Sequence, residues 1–217
     1  MKPPGILILK NRAIYTVLPL LVIAAGCSSS LSLRTETELP TPVVSRIPLN
    51  LGIYYDDNFR NYIYEENTED RPNWSIDNRP SRLELFNQIL PSLFGKTTPV
   101  SGTEANGAPV DAIIAPQVDE MQLALPAETR SGFYEAWVKY DIRLYQPDGT
   151  LIAQWPVTGY GKTEEAFFKS RNKGLNDAIT QAMRDVGAKL ALGFPRVEEV
   201  RNWLKSKTSC DEYSAVC

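Results

Sequence analysis

YEAWVKYDIRLYQPDG, residues 134–149, decides how this chain folds. Tyr134, Ala136, Val138, Tyr140, Ile142 and Leu144 alternate onto one face. Glu135, Trp137, Lys139, Asp141, Arg143 and Tyr145 fall on the other. Such strict alternation is a strand with one face against a core. Gln146-Pro147-Asp148-Gly149 then reverses the chain, since proline presets φ and glycine accepts φ > 0. Thr150 to Gly159 returns as the partner strand.

Val110 to Val118 reads as a further strand, and Met121, Leu123 and Leu125 restart its alternation. A bulge near Asp119 accounts for the change of phase. Pro48 to Tyr55 is a strand by its Leu49, Leu51, Ile53, Tyr55 alternation, and Tyr62 to Tyr64 a short one. Residues 65–80 read as a loop. A helix begins at Ser81, whose spacing to Glu84 fits a capping box. Leu83, Phe86, Ile89 and Leu90 share a face, and Pro91 kinks or ends it. A second helix runs from about Asn172 to Leu192, with Leu175, Ala178, Ile179, Ala182, Met183, Val186 and Leu190 at helical spacing. Gly193 and Pro195 stop it, and a short third helix carries Val200, Trp203 and Leu204. The expected fold class is α+β: a single mostly antiparallel sheet with two long helices packed on one face.

The N-terminus carries an address. Lys2, Lys10 and Arg12 precede an apolar run from Ala13 to Ile23, then the small residues Ala24, Ala25 and Gly26, then Cys27. The run is too short to span a bilayer, which needs about 20 residues, and it has the parts of an export signal. A cysteine directly after the small residues is a lipobox. Residues 1–26 are then a lipoprotein signal peptide. Residues 27–47 form the acylated cysteine and a flexible tether, 48–205 an α+β periplasmic domain and 206–217 a C-terminal tail. Acyl chains on Cys27 are the expected membrane partner. Ser28 after the cysteine, rather than Asp, points to an outer-membrane location facing the periplasm.

Composition narrows the chemistry. With 23 basic and 26 acidic residues, and the signal removing only basic ones, the mature protein is acidic; no nucleic-acid footprint is expected. The chain has no histidine, which removes histidine-based nucleophile activation and the usual zinc ligands. Cys210 and Cys217 are either bridged, as an exported compartment permits, or two free thiols on the tail.

No catalytic site stands out. Gly161-Lys162-Thr163 resembles the end of a phosphate loop, but the required earlier glycine position is Pro156. Asp56-Asp57-Asn58 and Glu65, Glu66, Glu69 and Asp70 lack calcium-loop spacing. No carboxylate pair is singled out for glycoside chemistry. No cofactor or metal is expected. Trp137, Tyr145, Trp155, Tyr160, Phe167 and Phe168 could form an aromatic surface. Trp137 and Tyr145 stand on the charged strand face, as solvated residues or as anchors for a partner; the aromatics could instead cover a helix or each other.

The stretch Trp137 to Leu144, the Pro147-Asp148-Gly149 turn, Thr158-Gly159-Tyr160-Gly161 and the helix through Asp177-Ala178-Ile179 and Arg184-Asp185-Val186 resemble small outer-membrane lipoproteins, nearest the YajG-like group. More distant resemblances are to curli-secretion and Pel-type lipoproteins and to the anticodon-like α/β domain of Tol proteins. The resemblance spans about residues 48–205 and implies no catalytic residues. The expected function is a non-enzymatic, lipid-anchored periplasmic accessory or binding protein of envelope assembly or export, its envelope protein or glycan partner unnamed. The alternatives are a carboxylate-dependent envelope glycan enzyme and a ring-forming secretion lipoprotein.

Overall fold

The computed structural model of the protein describes residues 30–35, 42–67, 73–165 and 170–207. Cys27, Phe167, Phe168, Cys210 and Cys217 lie outside them. The elements run β1 (Ser30–Arg34), β2 (Ile47–Ile53), α1 (Asp57–Asn61), β3 (Tyr64–Glu66), β4 (Asn73–Asp77), α2 (Arg79–Leu93), β5 (Phe94–Pro99), β6 (Ala112–Ala124), α3 (Pro126–Thr129), β7 (Phe133–Tyr145), β8 (Leu151–Glu164), α4 (Arg171–Gly193) and α5 (Glu198–Lys207). A 3-10 turn over Phe194–Arg196 joins α4 to α5.

The single, mostly antiparallel sheet is not what forms. The strands make two sheets, one of three strands ordered β1-β4-β3 and one of five ordered β5-β2-β6-β7-β8. Both are mixed. β1 pairs with β4 in parallel, while β3 pairs with β4 antiparallel. In the larger sheet β2 lies parallel to both β5 and β6, and only β6, β7 and β8 form an antiparallel meander. The cause is the connection. Parallel neighbours need a crossover, and the segment holding α2 supplies one between β2 and β5. β4 occupies part of the stretch read as a loop, and β1 part of the stretch read as a tether.

The meander builds the core. Tyr134, Ala136, Val138, Tyr140, Ile142 and Leu144 of β7 are buried while their alternates are partly exposed. The bulge near Asp119 is present: the β6–β7 register shifts between Val118 and Glu120, which returns Met121 and Leu123 to the core face. α2 and α4 both pack on that face. Phe86 of α2 meets the Tyr140 ring edge-on at 5.2 Å, and the Tyr140 hydroxyl donates to Met183 Sδ of α4 at 3.4 Å. Burial raises the Tyr140 pKa well above that of an ordinary phenol.

α2 begins two residues before the expected start. Asn78 precedes it and Pro80 lies in its first turn, where a missing N–H costs no helical bond. Ser81 does not cap; its hydroxyl donates to Thr35 O and lies 3.0 Å from Thr35 Oγ1. Pro91 sits inside the helix, which continues to Leu93.

One charge lies in the core. Arg82 of α2 is fully buried. Its guanidinium donates to Phe59 O at 3.0 Å, Asn78 Oδ1 at 2.5 Å and Tyr62 O at 3.2 Å. It also lies over the Phe59 ring, 5.2 Å from the centroid. Burial lowers its pKa, yet arginine keeps its proton. The fork therefore joins the end of α1 to α2 as a charged clasp.

Candidate outer-face binding site

The helices cover one face of the five-stranded sheet; the opposite, outer face is where the charged residues of β7 stand. Part of it is closed. β2 and β5 are short, and the connection over 100–111 folds across their end. Val100 and Ile113 both approach Gly52, and Ala105 N–H donates to Pro147 O at 2.9 Å. Ile113 is thereby fully buried. Tyr145 lies at this closed end, opposite Ile113 and Leu151.

Beyond Ile53, β6, β7 and β8 run on without β2 beside them, and there the outer face opens. A shallow depression of about 140 Å³ is lined by Glu120, Gln122, Trp137, Lys139 and Thr158. Trp137 is its floor. Register sets its neighbours: Gln122 on β6 and Tyr160 on β8 stand directly opposite it. The Trp137 and Tyr160 rings lie 5.0 Å apart at 35°, an aromatic ledge. One step along, Lys162 stands over the Phe133 ring at 5.0 Å.

The polar groups around the ledge are partnered to one another. Lys139 pairs with Asp119 at 2.7 Å, and that hydrogen bond raises the Lys139 pKa. Gln122 Nε2 donates to Glu120 Oε1 at 2.5 Å. The Tyr160 hydroxyl donates to Glu135 Oε2 at 3.3 Å; desolvation first, and then that carboxylate, raises the Tyr160 pKa. The charges fix side chains around an apolar floor.

The two residues singled out from sequence are not brought together. Trp137 and Tyr145 are eight residues apart on one strand, roughly 26 Å. Tyr160, not Tyr145, shares the ledge with Trp137. Trp155 points inward against Phe194, with ring centroids 5.8 Å apart. Among the described residues no group of three histidine, cysteine, aspartate or glutamate side chains could hold a metal. None of the described helices is long and apolar enough to cross a membrane. Gly161, which suggested a phosphate loop, lies within β8 and faces α4.

The free edge of the sheet beside this site is closed by α4. Asp185 Oδ2 accepts from the Tyr160 backbone N–H at 2.9 Å, and Lys189 Nζ donates to Thr158 O at 2.8 Å. The two side chains also pair with each other at 2.8 Å. Pro156, two residues before, has no N–H to offer. Unpaired edge groups invite strand addition, so Asp185 and Lys189 act as a substitute strand. We expect Asp185→Ala with Lys189→Ala to produce a concentration-dependent dimer with unchanged helix content. Light scattering across a dilution series checks this; a monomer at every concentration would refute it.

No protein-family model matches this sequence, and no curated protein does. A solved structure shares its architecture. A Xanthomonas campestris protein of family DUF330 superposes with a TM-score of 0.54 at 10% identity, over 82% of this chain and 99% of that one. This shows a shared fold. A candidate lipoprotein from Caulobacter crescentus gives a TM-score of 0.36 at 15% identity, over 58% of this chain and 82% of that one. The PelC dodecamer from Paraburkholderia phytofirmans gives 0.33 at 11%, over 68% and 94%. At those scores neither bears on the fold, and membership of the YajG-like group is not shown by these structures.

Proposed function

We propose that this protein is a lipid-anchored accessory protein of the cell envelope that binds its partner on the outer face of β6, β7 and β8, with no chemistry of its own. The observation that carries this reading is the Trp137–Tyr160 ledge, an aromatic pair on a part of the sheet's outer face that no described helix or loop covers. Interfaces concentrate their energy in such aromatic anchors. Strand addition is disfavoured at this edge by the Asp185–Lys189 pair, so capture uses the face. The anchor is Cys27 in its lipobox, and Ser28 favours the outer membrane. The partner is an envelope protein or glycan.

Trp137→Ala with Tyr160→Ala should weaken partner capture by about 2 kcal/mol, roughly thirtyfold, with circular dichroism unchanged. Tyr145→Ala should leave capture intact. A photoreactive residue at Thr158, irradiated in cells, reads capture directly. Wild-type crosslinking by the double variant would show the face to be merely solvated. Separately, Cys27→Ala should abolish fatty-acid labelling and release the protein from membranes; unchanged labelling would refute the anchor.

A further inference from the structure

We propose that the domain does not stand off the membrane but is held with the Ser30 end of its three-stranded sheet against the lipid headgroups. This rests on acylation of Cys27, as read under Proposed function, and adds where the domain then sits.

Chain length sets this position. β1 starts at Ser30, and its five residues pair in register with Asn73–Asp77 of β4. The lock continues past the strand. Thr35 N–H donates to Asp77 O at 3.0 Å, Thr35 is fully buried, and the Ser81 hydroxyl at the start of α2 donates to its carbonyl. The chain is therefore fixed to the domain over residues 30–35. Slack cannot be drawn from β1 without breaking this ladder. Only Ser28 and Ser29 separate the locked strand from Cys27. Three Cα–Cα steps reach at most about 11 Å. Headgroups occupy roughly 5–8 Å on each side of the hydrocarbon. Acyl chains on Cys27 thus place Ser30 at, or within a few ångströms of, the headgroup surface.

Strand direction says which end comes down. β1 and β4 run parallel, so Asn73 lies beside Ser30, and Glu66 of β3 lies opposite Trp74 at the same end. Among the described residues at that end, Glu66, Asn67 and Asn73 are polar, and none of the three is cationic. The tether, not attraction to anionic lipid, holds the contact, and the unacylated domain should ignore vesicles.

The test attaches a fluorophore at Ser32→Cys, an exposed position on β1, in a Cys210→Ser, Cys217→Ser background. The acylated full-length protein is reconstituted in phosphatidylethanolamine–phosphatidylglycerol vesicles containing a headgroup-linked quencher. A second protein carries twelve Gly/Ser residues inserted between Ser29 and Ser30, a span of roughly 19 Å. Quenching should be several-fold stronger in the native-length protein than in the extended one. Equal quenching in the two, or none in protein whose acyl chains are verified by mass spectrometry, overturns the proposal. If mass spectrometry finds no acyl chain on Cys27, the anchor itself is refuted and the apposition falls with it.

Discussion

Gly161→Ala should destabilise the domain by about 3 kcal/mol, and Gly159→Val should keep it from folding. Both glycines lie on the face of β8 that meets α4. A Cβ on Gly161 would stand 2.1 Å from Ala178 O and 2.5 Å from Ala182 N; one on Gly159 would stand 2.1 Å from Ala182 O and 2.6 Å from Val186 Cγ2. The obstacles are mostly helix backbone, which no rotamer change can move. Relief requires the whole of α4 to lift from the sheet, carrying Leu175, Ile179, Met183 and Val186 out of their packing. Overpacking a close-packed interior typically costs 1–3 kcal/mol, and a rigid helix puts this case at the upper end. Urea unfolding reads the change. Gly193→Ala is the control, since nothing lies within 4 Å of its Cβ position. A Gly161→Ala midpoint matching that control would refute the close approach.

Arg82→Ala should cost about 3–5 kcal/mol, from buried acceptors left unsatisfied at about 1–3 kcal/mol each and from the cavity that a fully buried side chain leaves behind. The substitution leaves Phe59 O and Asn78 Oδ1 without their donor in a buried site and Tyr62 O without it in a half-buried one, and unsatisfied buried acceptors carry their full desolvation penalty. Arg82→Met keeps most of the volume yet loses all three hydrogen bonds. It should fall between wild type and alanine. Arg82→Lys retains charge but not the fork that reaches three acceptors at once, and should also be destabilising. Chemical denaturation of the series separates these contributions. Equal stability of the methionine variant and wild type would show that Arg82 acts by packing alone.

The site itself was half legible. Alternation along 134–145 placed Trp137 on the outer face correctly. Its neighbour was hidden by a single residue. Counting outward from Tyr145 opposite Leu151 sets Gly159, not Tyr160, opposite Trp137. The register shifts between Leu144 and Tyr145, where Leu144 faces Ala153 and Ile152 is the extra residue. A one-residue slip exchanges the two faces of a strand. Here it turns Tyr160 outward to the ledge and both glycines inward to the helix. Tyr145 had the right parity but the wrong end of the strand, because the 100–111 connection closes the face there.

What the sequence determined by itself is whatever local periodicity and steric rules dictate. That includes the two faces of β7, the turn at 146–149, the bulge at Asp119 and the apolar stripe of α4, each of which can be read within a few residues. What only the tertiary structure decided is pairing between distant segments. SLSLR of β1 and NWSID of β4 each alternate polar and apolar residues over only five positions, within stretches that otherwise read as tether and loop, and nothing local says that they pair with each other across 43 positions. The parallel placement of β2 between β5 and β6 depends on how the crossover packs, and the buried clasp of Arg82 on carbonyls contributed by a different helix. Those choices are made by burial and hydrogen-bond satisfaction over the whole fold, and no window of neighbouring residues contains them.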